Sequence, residues 1–280
     1  DSVVKVRIFG SYNNDKDSKI AVNVLNSKIK TFNFLEIKKD VNKNVNFTLL
    51  GILSGVNKAN AVYDVYLKNT FGGYFTLKNE EVALSGSGFY QNGENKDGKS
   101  VNAYMVNAIL KYTKNPVEFA AGFDILSGND MKNTDPDYLK VDHRFDVLLG
   151  TTRPFQGTME IVNLKTSNAG LFNSYFKAKC KLSDKWNIGA DYFFLSTQTN
   201  VGKLDENKQF VELNKYLGQE VDGLVTYKIN TDATLQVGYC YLFAAQALKD
   251  LKATTAFDNQ SWAWVQLTFK PKLFEGAAKN

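Results

Sequence analysis

Polar and apolar residues alternate along most of this chain. Between Leu171 and Leu182, Phe172, Ser174, Phe176, Ala178, Cys180 and Leu182 share one parity, and Asn173, Tyr175, Lys177, Lys179 and Lys181 share the other. A helix would scatter both sets around its axis, whereas a strand sends successive side chains to opposite faces and keeps them apart. Trp186, Ile188, Ala190, Tyr192 and Phe194 repeat the pattern against Asn187, Gly189 and Asp191. With Ser183-Asp184-Lys185 as the turn, Leu182 meets Trp186, Cys180 meets Ile188, Ala178 meets Ala190 and Phe176 meets Tyr192. Lys177 then faces Asp191 on the polar side. A slip of one residue would invert every assignment.

Two further hairpins keep the same parity. Around Asn230-Thr231-Asp232, Tyr227 meets Leu235, Val225 meets Val237 and Thr226 meets Gln236. Around Thr113-Lys114-Asn115-Pro116, the expected pairs are Leu110 with Phe119, Val106 with Phe123 and Lys111 with Glu118. Extending the test predicts about twelve strands, near 3–12, 19–37, 44–53, 61–77, 82–91, 101–112, 117–126, 171–182, 186–196, 219–229, 233–244 and 261–270, the second and fourth long enough to hold a bulge.

The connections alternate in length. Short ones fall at 38–43, 78–81, 113–116, 183–185 and 230–232. The others, at 13–18, 54–60, 92–100, 127–170, 197–218 and 245–260, are mostly longer and rich in Asn, Asp, Lys and Gly. Short turns at one end and long loops at the other are the layout of an outer-membrane barrel, and a soluble β-sandwich shows no such strict alternation. The expected fold is therefore all-β, an antiparallel up-and-down transmembrane β-barrel over residues 1–270 with a C-terminal tail at 271–280. The stretch 127–170 is too long for a structureless loop in a compact domain. It folds over the mouth, folds into the lumen or adds a hairpin, and the sequence leaves the three open.

Composition agrees once it is read against this pattern. Hydrophobic residues make up 44% of the 280 and mean hydropathy is −0.30. No run approaches the roughly 20 apolar residues of a membrane-spanning helix, but alternation hides a barrel from any hydropathy window. Aromatics reach 13%, with 20 Phe and 14 Tyr, while Pro is scarce at 4. Tyr112, Trp186, Tyr227 and Phe269 lie toward the short turns, and Phe194, Tyr241 and Phe243 toward the long loops, as two interfacial girdles would require. The net charge of +5 is spread along the chain, so no nucleic-acid partner is expected. Cys180 and Cys240 fall on opposite faces and are not expected to bridge. Asp1 opens almost directly into a strand pattern, which fits a mature or partial chain.

Four stretches resemble a known family. They are Ala83-Leu84-Ser85-Gly86-Ser87-Gly88-Phe89-Tyr90-Gln91, Ala121-Gly122-Phe123-Asp124-Ile125-Leu126-Ser127-Gly128-Asn129-Asp130, Leu149-Gly150-Thr151-Thr152-Arg153-Pro154-Phe155-Gln156-Gly157 and Leu267-Thr268-Phe269-Lys270-Pro271. Together they resemble the alginate-export-type outer-membrane porins of Bacteroidetes over most of the chain, least before about residue 30. The resemblance implies an outer-membrane channel, with further strands before Asp1 and eighteen in all.

Candidate chemistry concentrates on the polar face. Lys177, Lys179 and Lys181 form an inward column able to attract anionic solutes, and pairing of Lys177 with Asp191 and of Lys111 with Glu118 is the structural alternative. Asp124, Glu220 and Asp222 also point inward. Arg153 could clamp a carboxylate or hold its own loop. Trp262 and Trp264 fall on the inward face, to stack on sugar rings or to fill space. His143, the sole histidine, lies in a polar loop without catalytic partners, and Asp130, Asp135 and Asp137 lack the ligand order of a calcium loop. No enzyme chemistry, metal or cofactor is expected. The expected function is a porin-like passage for anionic or neutral solutes, with uronate-type polysaccharide as one candidate and outer-membrane lipid as the surroundings. A plugged barrel serving as an adhesin or structural protein is the alternative.

Overall fold

The structure is a computed structural model that describes residues 4–13, 29–58, 64–148, 157–162, 168–207, 209–252 and 257–271. Twelve long strands follow one another in sequence order: β1 (Val4–Tyr12), β2 (Ile29–Asn42), β3 (Val45–Asn57), β4 (Val65–Lys78), β5 (Val82–Glu94), β6 (Ser100–Lys114), β7 (Val117–Leu126), β9 (Leu171–Lys181), β10 (Trp186–Ser196), β13 (Tyr216–Lys228), β14 (Ala233–Ala244) and β15 (Gln260–Phe269). Each pairs antiparallel with its neighbour in this up-and-down sheet, which counts thirteen strands with the two-residue β8 (Val141–Asp142) beside β6. A separate hairpin, β11 (Val201–Leu204) and β12 (Phe210–Leu213), and two helices, α1 (Pro136–Leu139) and α2 (Gln246–Lys252), decorate the long-loop end. Among the described residues no ladder joins β1 to β15.

The burial of side chains is inverted relative to a soluble domain. Ile8, Leu49, Leu110, Phe176, Leu182 and Leu267 are exposed, whereas Gln91, Asn173 and Glu220 are wholly buried. The outward face is thus an apolar band, and the inward face carries the polar groups. In water such a surface would cost about 25 cal/mol per Å² of exposed apolar area; in lipid it costs nothing.

The short turns are fixed by local side chains. Asn79 Oδ1 accepts from the amides of Glu81 and Val82 at 3.0 and 2.7 Å. Asn230 Oδ1 accepts from Asp232 and Ala233 at 2.9 and 2.8 Å, Asn42 Oδ1 accepts from Asn44 at 2.8 Å, and Ser183 Oγ accepts from Trp186 at 3.1 Å. These side chains supply the acceptors that a tight reversal strips from the ladder.

The β9–β10 and β13–β14 registers are those the alternation predicts, Lys177 opposite Asp191 and Tyr227 opposite Leu235 included. The β6–β7 register is not. Leu110 pairs with Ala121, Val106 with Ile125 and Tyr112 with Phe119. The strands run on to a two-residue reversal at Asn115-Pro116, so the ladder shifts by two and every face survives. The strand expected at 19–37 is observed from Ile29 to Asn42 with irregularities near both ends, and the β2–β3 connection shrinks to two residues. Of the strand expected at 61–77, Val65–Lys78 is observed. Residues 14–28 and 59–63 and the tail beyond 271 lie outside the described residues.

The long excursion turns inward. Phe145, Val162 and Ala169 are buried, and the first two pack with Phe89, Ala103, Met105, Leu126, Leu171 and Leu195, all inward positions near the long-loop ends of their strands. Its described parts hold only α1 and β8, with no membrane-length hairpin.

Candidate lumen site and its inserted segment

One register row crosses the inner face from β5 to β15. Ala83, Lys111, Ala120, Lys177, Asp191, Asp222, Cys240 and Trp262 stand side by side, each opposite the next. The row is basic at β6 and β9, acidic at β10 and β13, and aromatic at β15. Lys177 Nζ donates to Asp191 Oδ2 at 2.9 Å and lies over the rings of Tyr175 and Phe193 at 5.3 and 4.8 Å. Ammonium, carboxylate and ring quadrupole thus hold that side chain against the wall.

The remaining lysines approach the short turns. Lys111 and Lys179 share Glu118, at 3.1 and 3.7 Å, and Lys181 donates to Asp184 at 2.6 Å. Four lysines (111, 177, 179, 181) therefore meet three carboxylates (118, 184, 191) in ion pairs, and Asp222 stands beside Asp191 in the same row.

Toward the loops, Glu220 and Asp222 are buried beneath the segment Gly157–Val162. Met159 N–H donates to Glu220 Oε1 at 2.9 Å, and Thr158 N–H donates to Asp222 Oδ2 at 3.1 Å. Gly157 adopts φ +79°, and a Cβ there would stand 2.6 Å from the Glu220 carboxylate. Glu160 is also left-handed, at φ +53°, a conformation that costs a non-glycine residue about 1–2 kcal/mol. Thr158, Met159, Glu160 and Trp262 line a cavity of about 250 Å³. Trp264 lies 6.3 Å from Trp262 between ring centres and packs over Gly238, where a Cβ would collide with its indole.

The earlier part of the excursion is tied to the opposite wall. Asp146 N–H donates to Gln91 Oε1 at 2.9 Å, and Gln91 Nε2 donates back to the Asp146 carbonyl at 2.7 Å. Lys68 pairs with the Asp146 carboxylate. Ser127 Oγ donates to the His143 carbonyl at 2.7 Å and accepts from Tyr104 N–H at 2.8 Å. Asp142 accepts from Arg144 Nε and Nη2, both at 2.8 Å, and from Asn95 Nδ2 at 2.9 Å. Burial alone would raise the Asp142 carboxyl, but these hydrogen bonds and the guanidinium charge hold it well below the usual carboxylate range.

Of the residues expected to line the lumen, Lys111, Glu118, Lys177, Lys179, Lys181, Asp191, Glu220, Asp222, Trp262 and Trp264 all stand on the inward face. Arg153 lies outside the described residues. His143 stacks on Tyr138 at 4.3 Å, and Asp135 caps α1, so both serve the excursion's own fold. Gln91, Asn95, Ser127 and Asp146 were not anticipated as anchors. Their parity puts Gln91 on the inward face, but its partner sits in a stretch without any period.

No protein-family model matches the chain, and no curated protein sequence does. Solved structures do share its fold. The outer membrane protein OprD from Pseudomonas aeruginosa aligns at a TM-score of 0.50 and 10% identity, over 86% of this chain and 59% of that one. OpdL of the same organism aligns at 0.50 and 13%, over 85% and 60%. OccAB4 of Acinetobacter baumannii aligns at 0.50 and 10%, over 86% and 54%. The chain spans a little over half the length of these neighbours. At such identities the likeness is one of fold: this is an antiparallel up-and-down sheet of the bacterial outer-membrane barrel type.

Proposed function

We propose that the chain forms the wall of an outer-membrane porin through which small anionic or neutral solutes pass. One observation carries this reading: charged and amide side chains are buried on one face of the sheet while large apolar side chains are exposed on the other. The inserted segment bound to Glu220 and Asp222 narrows the lumen on this reading. The lysines near the short turns, Lys177, Lys179 and Lys181 in one column, supply the positive charge that would favour anions. Passage of uronate-type polysaccharide is the finer form of the proposal and rests on the resemblance to alginate-export porins. No step of chemistry is assigned to any residue.

The apolar cluster around Phe145 and Val162 favours a second reading, a plugged barrel with a structural or adhesive role. Planar-bilayer recording under a salt gradient separates the two. The porin reading predicts discrete conductance steps with an anion-leaning reversal potential. A silent bilayer with correctly inserted protein would favour the plug.

A further inference from the structure

We propose that the outward face of the β2–β3 hairpin binds the headgroup of an anionic phospholipid, with Lys39 and Lys43 holding its phosphate. The inference rests on the barrel's place in a membrane and not on an open lumen, so it goes beyond the porin reading and holds for a plugged barrel too. It starts from one residue out of pattern. Lys39 stands between Val4 and Phe47 in the ladder, and Ile37 shares its face. These three neighbours are exposed, as is Val41 two residues on, so Lys39 lies inside the lipid-facing apolar band. At the outward positions of the twelve long strands, the other charged residues are Glu94 and Lys114, each the last of its strand.

A charge on the lipid face is destabilising unless its head reaches the interface and meets an opposite charge there. Lys39 lies short of the end of β2 at Asn42, by about 10 Å at the rise of a strand. Its stem can therefore lie along apolar surface while the ammonium reaches toward the turn. Lys43 is exposed in that turn, where Asn42 Oδ1 fixes the reversal by accepting from Asn44 N–H at 2.8 Å. The carboxylates of the hairpin are engaged on the inward face: Glu36 accepts from Arg7 Nε at 2.9 Å, and Asp40 pairs with Lys38 at 3.6 Å. Outward Lys114 has Glu81 at 3.8 Å. Among the described residues, neither Lys39 nor Lys43 stands in an ion pair. Two ammoniums that only donate require a negatively charged acceptor, and at this depth a headgroup phosphate supplies it. Net charge selects the lipid. A choline headgroup brings a cation of its own, whereas a glycerol headgroup leaves the phosphate charge to the lysines. Exposed Phe47 and Leu49 lie where the acyl chains would run.

Tryptophan quenching tests this directly. Phe47→Trp, combined with Trp186→Phe, Trp262→Phe and Trp264→Phe, puts the sole indole opposite Lys39. In phosphatidylcholine vesicles, chain-brominated phosphatidylglycerol should quench this reporter more than equally brominated phosphatidylcholine, with a binding preference of about five-fold at low salt. The preference should fall toward parity in about 1 M salt, where the screening length is about 3 Å. Lys39→Gln with Lys43→Gln should bring it within about two-fold of parity at low salt. Lys179→Gln with Lys181→Gln, which removes the same charge from the lumen wall, should leave it unchanged. Heat-modifiable migration checks that each variant is folded. Equal quenching by the two lipids in the parent reporter would overturn the proposal. So would a preference that survives Lys39→Gln with Lys43→Gln, or one that the two lumen substitutions lower just as far.

Discussion

Met159 N–H donates to Glu220 Oε1 at 2.9 Å, a contact between residues 61 apart in sequence that fastens the excursion to the inner wall. Glu220 is fully buried on β13. Removing its carboxylate leaves a buried amide without a partner, which costs about 1–3 kcal/mol. Glu220→Ala is therefore expected to loosen residues 157–162 with little effect on the ladder. Faster amide exchange at Met159 and a larger single-channel conductance would be the signs, and unchanged exchange would show that other contacts hold the segment.

Gly157 allows the same contact. At φ +79°, with Glu220 where a Cβ would go, Gly157→Val meets both backbone strain and a clash. It should expose the excursion to protease at least as strongly as Glu220→Ala, while the heat-modifiable migration of the barrel is retained.

Asp142 ties the other end of the excursion through Arg144 and Asn95. Its folded carboxyl is depressed, so its stabilisation is fully present above the unfolded value, about 3.9, and is lost as pH falls through the folded value. Protease sensitivity of residues 127–148 should be flat from pH 7 to 5 and rise below about pH 4. In Asp142→Asn it should be high throughout, so a wild-type profile in that variant would remove Asp142 from the account.

The faces of the sheet separate two tryptophans. Trp186 points outward beside Tyr227, with ring centres 4.5 Å apart, and Trp262 points inward. Brominated lipid should quench a variant holding only Trp186 several-fold more than one holding only Trp262, and aqueous iodide should do the reverse. Equal quenching by both reagents would contradict the assignment of faces.

Orientation follows from the loops. Residues 205 and 250, at the β11–β12 turn and in α2, belong to the long-loop end. Epitope tags there should be detected on intact cells, and detection only after permeabilising the outer membrane would reverse the orientation.

Much of this wall was legible in the sequence because a strand's period is two and its faces differ. Phe176 and Lys177 declare their sides without any partner. Shifts of two residues are invisible to that signal, which is why Lys114 pairing with Val117 escaped it while both faces of that hairpin were assigned correctly. The excursion has no period at all. Gln91 with Asp146, and Glu220 with Met159, join a regular strand to an irregular one, and only three-dimensional placement brings them together.

The central claim is that Lys177 faces an aqueous lumen while Phe176, one residue away, faces lipid. Single-channel recording of Lys177→Cys and Phe176→Cys, with Cys180 and Cys240 replaced by Ala, tests it with an anionic, water-soluble thiol reagent. A stepwise change in conductance and a shift of selectivity toward cations for Lys177→Cys, with none for Phe176→Cys, is the predicted result. An equal response from both variants, or from neither, would contradict it.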